Sequence, residues 1–440
     1  MRCPPVKLSN RLLLLIVVAA PAAMFAPEAL ARQFIASIAA LALLAVALEA
    51  PPGLLRHLAR IGLPWTVAFA CAAVYLAAQL LPMPIAAPAH PVWSGVAAAL
   101  DPPPPGHVTI DLGATLLSLE TLLACFAVAL TAAATAIERA RAERALFWVA
   151  GASTAAAAAL AAGEYVVPSH GESILAGIPL APFAAASGLG LIVNLALIFH
   201  VAENAGAPAE RRTPRRRSLQ LATLGLCAAV CFGAVATRAP PFVAAAIGVG
   251  VVGFLVVAVI RRLGLSFWPA ALTTTAAAAL VAIAIARGFS ATTGDLLWRF
   301  AASADAADLA ACQRALADVG WFGGGAGVSA ELLSIYRDFG APSSIYAPTT
   351  AADWTFGLGK PAVAVVSLWA IGASIVLFWS ALARGRDWIY AAAAAASILT
   401  LEAEAFTDLS LASPVVGALA AVVLGLGVGQ SVSRSASNPG

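Results

Sequence analysis

An all-α polytopic membrane fold, with about 12 transmembrane helices and a small α-helical periplasmic cap, is predicted from three observations. Of the 440 residues, 61% are hydrophobic and only 11% charged, where a soluble domain carries roughly 25% charge. Apolar runs of about 20 residues, long enough to cross a bilayer, recur along nearly the whole chain. Lys and Arg gather in alternate loops, as they do in loops kept in the cytoplasm.

The spans are placed at 12–27, 33–50, 63–81, 112–137, 145–167, 179–202, 218–236, 241–260, 265–286, 361–382, 388–401 and 413–430. Alanine dominates them, so helices can approach through small side chains. With the N-terminus inside, only Arg32, Arg238, Arg287, Arg299, Arg314, Arg337 and Lys360 of the 25 basic residues fall outside. Both termini are then cytoplasmic. The first run, with small residues at Ala29 and Ala31, also has the shape of a secretory signal; the preferred reading is an uncleaved anchor that tolerates Pro21.

The chain divides into 1–286 with nine spans, a large external loop at 287–360, and 361–440 with three spans and a cytoplasmic tail. Cys71, Cys125, Cys227 and Cys231 lie in spans, Cys3 inside and Cys312 outside, which argues against a disulfide framework. Cys227 and Cys231 share a helix face, but with no His nearby they read as packing thiols and no metal site is expected. The basic run ERRTPRRRS enforces topology, with contact to anionic membrane lipids. Nothing beside it forms a nucleic-acid-binding domain.

Two external segments break the lipid-soluble pattern. Residues 82–111, rich in proline and carrying Trp93, read as an interfacial loop. In the larger loop, apolar residues at 309, 312, 316 and 319 make one helical face. A second short helix follows, with Ser329 expected as its N-cap and Leu332, Leu333 and Tyr336 on one stripe. The intervening WFGGGAG lacks the lysine of a phosphate-binding P-loop and the third glycine of a dinucleotide fingerprint. It also faces away from free nucleotides. Gly325 and Gly327 are left as candidates for approach to a phosphate carried on a lipid, against the alternative that they serve backbone geometry alone.

An isoprenoid diphosphate exposed at the outer surface would be met by arginines. Arg238, in the short turn ATRAPP, is the first candidate, suited to bidentate contact; the alternative is a snorkelling interfacial side chain. Arg299, Arg314 and Arg337 are secondary candidates. Glu120, about nine residues into the fourth span, is a costly carboxylate that pairs, shuttles protons or faces a polar cavity. Glu164, Glu402, Glu404 and Asp408 sit nearer the outer surface, placed to balance the arginines.

The order of these features resembles the O-antigen ligase and polymerase superfamily of bacterial membrane glycosyltransferases. QLLPMPIAAPAHPVW is similar to the Pro-rich segment after the third span, ATRAPP occupies the place of a Ser-Arg-Gly turn, and QRALADVGWFGGGAGVSAELLSIYRDF resembles the Arg-containing helix, Gly-rich turn and following helix. EAFTDLSLASPVVGALAAVVLGLG is similar to the last external turn and final span. The resemblance implies an inner-membrane enzyme that moves a glycan from an undecaprenyl-diphosphate-linked saccharide to a glycan or lipid acceptor. It implies Arg238 on the diphosphate, assisted by Arg299 or Arg314, and no cofactor. The chain departs from the ligase branch in lacking its histidine, since all five histidines precede residue 201. A general base would then be Asp338 or Asp353. The competing readings are a polymerase-type or inactive relative, a non-catalytic partner of polysaccharide assembly proteins, and a secondary transporter or flippase, which predicts an internal repeat not evident in the sequence.

Overall fold

Apolar segments in lipid must satisfy every backbone amide internally, which for a single segment leaves only the helix. The computed structural model describes residues 7–83, 89–163, 178–203, 214–264, 297–301, 306–338, 346–385 and 387–431. Among these residues the structure is helical, apart from an isolated bridge between Met83 and Gly106. The long helices are α1 (Lys7–Ala23), α2 (Glu28–Glu49), α3 (Pro52–Leu80), α5 (Leu112–Ala136), α6 (Arg139–Ala162), α7 (Ala181–Glu203), α8 (Pro214–Arg238), α9 (Pro241–Leu263), α13 (Lys360–Ala383), α14 (Trp388–Ala405) and α15 (Pro414–Gln430). Short helices are α4 (Val92–Ala99), α10 (Ala306–Asp318), α11 (Ser329–Ile335) and α12 (Thr350–Leu358).

Among the described residues eight helices are long and apolar enough to cross a membrane: α2, α3 from Gly62, α5, α6, α7, α8, α9 and α13. This is the architecture of a multi-pass helical membrane protein. Helices α1, α14 and α15 coincide with the first, eleventh and twelfth expected spans, the first ending earlier than expected, at Ala23. The expected span at 265–286 and Arg287 lie outside the described residues, as do Glu164 and the arginines at 211 and 212. The segment at 82–111, read as a loop, contains α4, whose Trp93 Nε1 donates to Thr109 O at 2.9 Å.

Small residues set the centre of the bundle. Residues 391–396 of α14 are alanines with no exposed surface. Gly425 and Gly429 of α15 face α5, where a Cβ on Gly429 would lie 2.6 Å from Ala133 O and one on Gly425 would press on Ala129 O. A glycine every fourth residue lets two backbones pack where lipid supplies no hydrophobic drive. Helix α7 fills the other side of α14, with Phe183, Leu189, Ile192 and Leu197 fully buried. By contrast α3, α8 and α13 carry exposed Leu63 and Val74, Leu226 and Phe232, and Val365 and Trp379, the surface a lipid environment covers.

One end of the bundle is stitched by Arg261. It lies 5.2 Å over the Trp388 ring and donates to Ala381 O at 2.9 Å and Gly385 O at 2.8 Å, meeting carbonyls at the C-terminus of α13. The other end, here the loop end, carries α10 to α12. Cys312, Leu316, Leu332, Leu333 and Phe356 form their own core, with Ile110 and Leu409 of the bundle packed against it. The stripe expected at 309, 312, 316 and 319 is therefore an inward face: Cys312 and Leu316 are buried, and Leu309 and Val319 are half-buried.

Gln79, at the end of α3, holds the loop end together. Its Nε2 donates to Phe322 O at 3.1 Å and Gly357 O at 3.0 Å, and its Oε1 accepts from Ala326 N at 3.2 Å. The side chain is 3% exposed, so replacement by Leu would strand these backbone groups. Gln79→Leu is expected to cost about 2–4 kcal/mol and to hasten proteolytic cleavage within 306–358, read by a thermal scan and limited proteolysis on the same sample.

Candidate functional site

The glycine loop between α10 and α11 folds by the conformations that glycine alone takes easily. Gly325 has φ +107° and Gly327 φ +80°, both in the region where a side chain is strained. A Cβ on Gly325 would overlap Thr109, and one on Gly327 would lie 2.8 Å from Ser118 Oγ and 3.1 Å from Ala114 O. The loop thus lies directly on the first turns of α5. Its polar groups face protein: Gly324 N donates to Phe356 O at 2.7 Å, Gly325 N to Gly357 O at 3.0 Å, and Ile110 N to Gly324 O at 2.8 Å. Thr115 Oγ1 reaches Ala326 O at 3.1 Å, while Thr109 and Thr115 bond each other at 2.7 Å. Tyr75 OH joins Leu358 O at 2.7 Å. An amide committed to a carbonyl cannot cradle a phosphate, so the geometry at Gly325 favours the backbone reading of the loop.

The arginines separate into two groups. Arg314 on α10 donates to Tyr336 O at 2.7 Å and to Asp338 Oδ1 at 3.1 Å. This ion pair is largely exposed and ties α10 to the chain after α11; such pairs contribute little. Two residues expected to act separately thus engage each other. Arg337, beside them, is half-buried. Tyr336 donates to Asp318 Oδ2 at 2.8 Å, and burial together with that carboxylate pushes its phenol up to about 12.

The other two lie on α8 and on the 297–301 turn, whose Leu297, Trp298 and Ala301 share the apolar core of α10. Arg238 ends α8, half-buried, two residues before Pro240 and the start of α9. Phe242 in the first turn of α9 packs against Phe300, ring centroids 5.9 Å apart and planes tilted by 58°. That contact holds the short turn at 297–301, which carries the exposed Arg299, against the helix that follows Arg238. The same turn is tied on its other side to α12, because Thr349 Oγ1 donates to Leu297 O. Thr349 also caps α12, accepting from Ala352 N at 3.1 Å.

Asp353 lies in the first turn of α12, half-buried. The Ser329 hydroxyl, expected to cap α11, instead donates to Asp353 Oδ1, and Val328 takes the cap position. Desolvation, with Glu28 and Glu331 adding negative charge, raises the Asp353 carboxyl above its usual 3.8, against the lowering effect of the Ser329 bond. Glu120 on α5 accepts from Gln33 Nε2 of α2 at 3.1 Å, a neutral partner at the bundle surface.

Three features escaped the sequence. Gln79 could have been noticed as an amide in the last turn of a span before a Pro-rich segment. Thr350 binds the backbone of Asp408 with both its N and Oγ1, at 2.8 and 2.9 Å, joining α12 to the turn after α14. Glu404, expected near the outer surface, is fully buried, and Asp408 is 8% exposed. Among the described residues no group of three His, Cys, Asp or Glu side chains is placed to hold a metal. No family model matches the chain, and no curated protein matches it.

Two measurements follow from this geometry. Gly325→Ala combines left-handed strain with overlap on Thr109 and is expected to destabilise by about 2 kcal/mol or more, whereas Gly320→Ala, which meets no neighbouring atom, is expected to be near neutral in the same thermal scan. The folded chain binds the Asp353 proton more tightly than the unfolded chain, so the stability this provides is intact below pH 3.8 and lost as pH rises through the raised value. Asp353→Asn should flatten that part of the stability profile measured from pH 4 upward.

Proposed function

We propose that this chain is a membrane glycan transferase of the O-antigen ligase or polymerase type, with twelve spans in a bacterial inner membrane, both termini cytoplasmic and α10 to α12 forming a periplasmic cap. It moves a saccharide from an undecaprenyl diphosphate to a glycan or lipid acceptor. The observation that carries this reading is the bridging turn at 297–301, which links the Arg238 corner through Phe300 and Phe242 to the helix bearing Asp353 through Thr349. Two cation-bearing segments and a carboxyl-bearing helix are thereby joined at one end of an apolar bundle, where a lipid-borne diphosphate would present itself.

In this reaction the acceptor hydroxyl attacks the anomeric carbon as the bond to the diphosphate oxygen breaks. The electron pair leaves on the diphosphate, which Arg238 and Arg299 stabilise by charge-assisted hydrogen bonds. The hydroxyl proton passes to Asp353, whose raised carboxyl is closer to neutrality than an ordinary aspartate and so better matched to a base. Arg314 and Asp338 are engaged with each other and take no part in the transfer. The positioned groups act from the protein alone, with no cofactor assigned.

Purified protein in nanodiscs, supplied with a lipid-diphosphate saccharide and acceptor, tests this directly. Arg238→Ala is expected to lower turnover about 100-fold or more; retained turnover removes Arg238 from the mechanism, and no transfer by the unmodified chain with any lipid-diphosphate donor removes the reading. Asp353→Asn should lose about 100-fold and abolish the acidic limb of the rate profile, which in the unmodified protein rises with pH as Asp353 ionises, above the ordinary 3.8.

A further inference from the structure

The C-terminal half of α14 holds buried oxygens that nothing in the fold engages. Ser397, Thr400 and Glu404 follow at spacings of three and four residues, one helix face, and are 3%, 0% and 0% exposed. Among the described residues, neither hydroxyl and neither Glu404 oxygen has a hydrogen-bond partner. The same chain shows what a buried helical hydroxyl ordinarily does. Ser187, Thr355 and Ser374 each donate to the carbonyl four residues back; Ser397 and Thr400 do not, as Thr131 and Ser153 elsewhere in the core do not, but only Ser397 and Thr400 share a face with a buried carboxylate. Past the helix end, Asp408 is fixed by Ser410 N at 2.9 Å, and Ser410 is itself fully buried beside it.

The charges here stand at the unfavourable end of a helix. A helix C-terminus carries partial negative charge and favours cations. The last turn of α14 has no basic residue, yet Glu402 and Glu404 lie there and Asp408 follows within one turn. Among the described residues no group donates to either Glu404 oxygen, so an ionised Glu404 has no compensating partner in its burial. A small cation meets all of these demands: it takes carboxylate and hydroxyl oxygens together, neutralises the buried charge and is favoured by the helix terminus. Glu402 is only half-buried and lies off the Ser397–Thr400–Glu404 face, and Asp408 already accepts from Ser410 N, so Glu404 is the unmatched carboxylate here and a single positive charge suits it.

We propose that Glu404, between Thr400 and the Asp408–Ser410 turn, binds a monovalent cation of sodium's size. Thr350 grips the backbone of Asp408, so the bound cation also steadies α12 on the bundle. The proposal is independent of the transferase reading, and its readouts are binding and stability.

The full chain in detergent is measured by thermal unfolding in NaCl against choline chloride at equal ionic strength, and by binding of radioactive sodium. A saturable rise of about 3 °C or more at 100-fold excess over the midpoint is expected, with sodium bound near one per chain. Glu404→Gln should abolish both. Thr400→Val, milder in its effect on folding, should weaken the sodium midpoint about threefold or more. Equal stability in all salts with no sodium bound overturns the site, as does an unchanged midpoint in folded Thr400→Val together with an unchanged response in Glu404→Gln. Stabilisation by lowered pH with no response to sodium at any pH assigns the charge to a proton and overturns it equally.

Discussion

Backbone hydrogen bonding at the loop end is the constraint on which the rest of this structure depends. Inside the bundle each helix satisfies its own amides, but 323–328 is irregular chain laid against the last turn of α12 and the ends of α3 and α5, with Gly324, Gly325 and Ala326 buried from water. Loop and helix solve this by bonding each other, Gly324 to Phe356 and Gly325 to Gly357, and by taking the remaining bonds from Gln79, Thr115 and Tyr75. Only residues without a Cβ permit so close an approach, which is why the segment is glycine-rich. The composition that suggests a phosphate loop is explained by the need to lay backbone on backbone.

The second determinant is small-residue packing. Alanines along α14 and glycines along α15 bring α5, α7, α9, α14 and α15 together, and the closeness leaves no room to hydrate what is enclosed. Polar atoms in such a core must find partners from their own helix or from a neighbour. Among the described residues most do; single hydroxyls such as those of Thr131 and Ser153 do not, and at Glu404, Thr400 and Ser397 the unmet groups fall on one face and include a carboxylate. Dense apolar packing thus turns an ordinary set of side chains into a site with unmet electrostatic demand. Arg238 and Asp353, to which we assign transfer, differ in kind, being only half-buried.

Much of the helical layout was legible because its signals are local. A continuous apolar run such as 112–137 can bury its backbone only as a helix, and Asp111 before it caps α5 with bonds to Gly113 N and Ala114 N at 2.7 and 3.1 Å. The stripe through Cys312 and Leu316 was readable from spacing for the same reason. Ser329 shows where local logic fails, since its hydroxyl is drawn to Asp353 across 24 residues instead of capping its own helix. The pairing of Arg314 with Asp338 likewise turns on how α10 and α11 fold back on each other, and no periodicity encodes it.

Composition and apolar period by themselves determined that this chain is helical and of the multi-pass membrane class, and roughly where its long helices lie, though α1, α2, α3 and α6 begin five to eleven residues before the expected spans. Those properties follow from transfer of segments out of water, which each segment experiences alone. The tertiary structure decided that the glycine loop is a keystone, that the 297–301 turn joins the Arg238 corner to α12, and that Glu404 is enclosed without a partner. Each of these depends on groups brought together from distant parts of the chain, and a buried charge or a committed amide is defined by its neighbours in space.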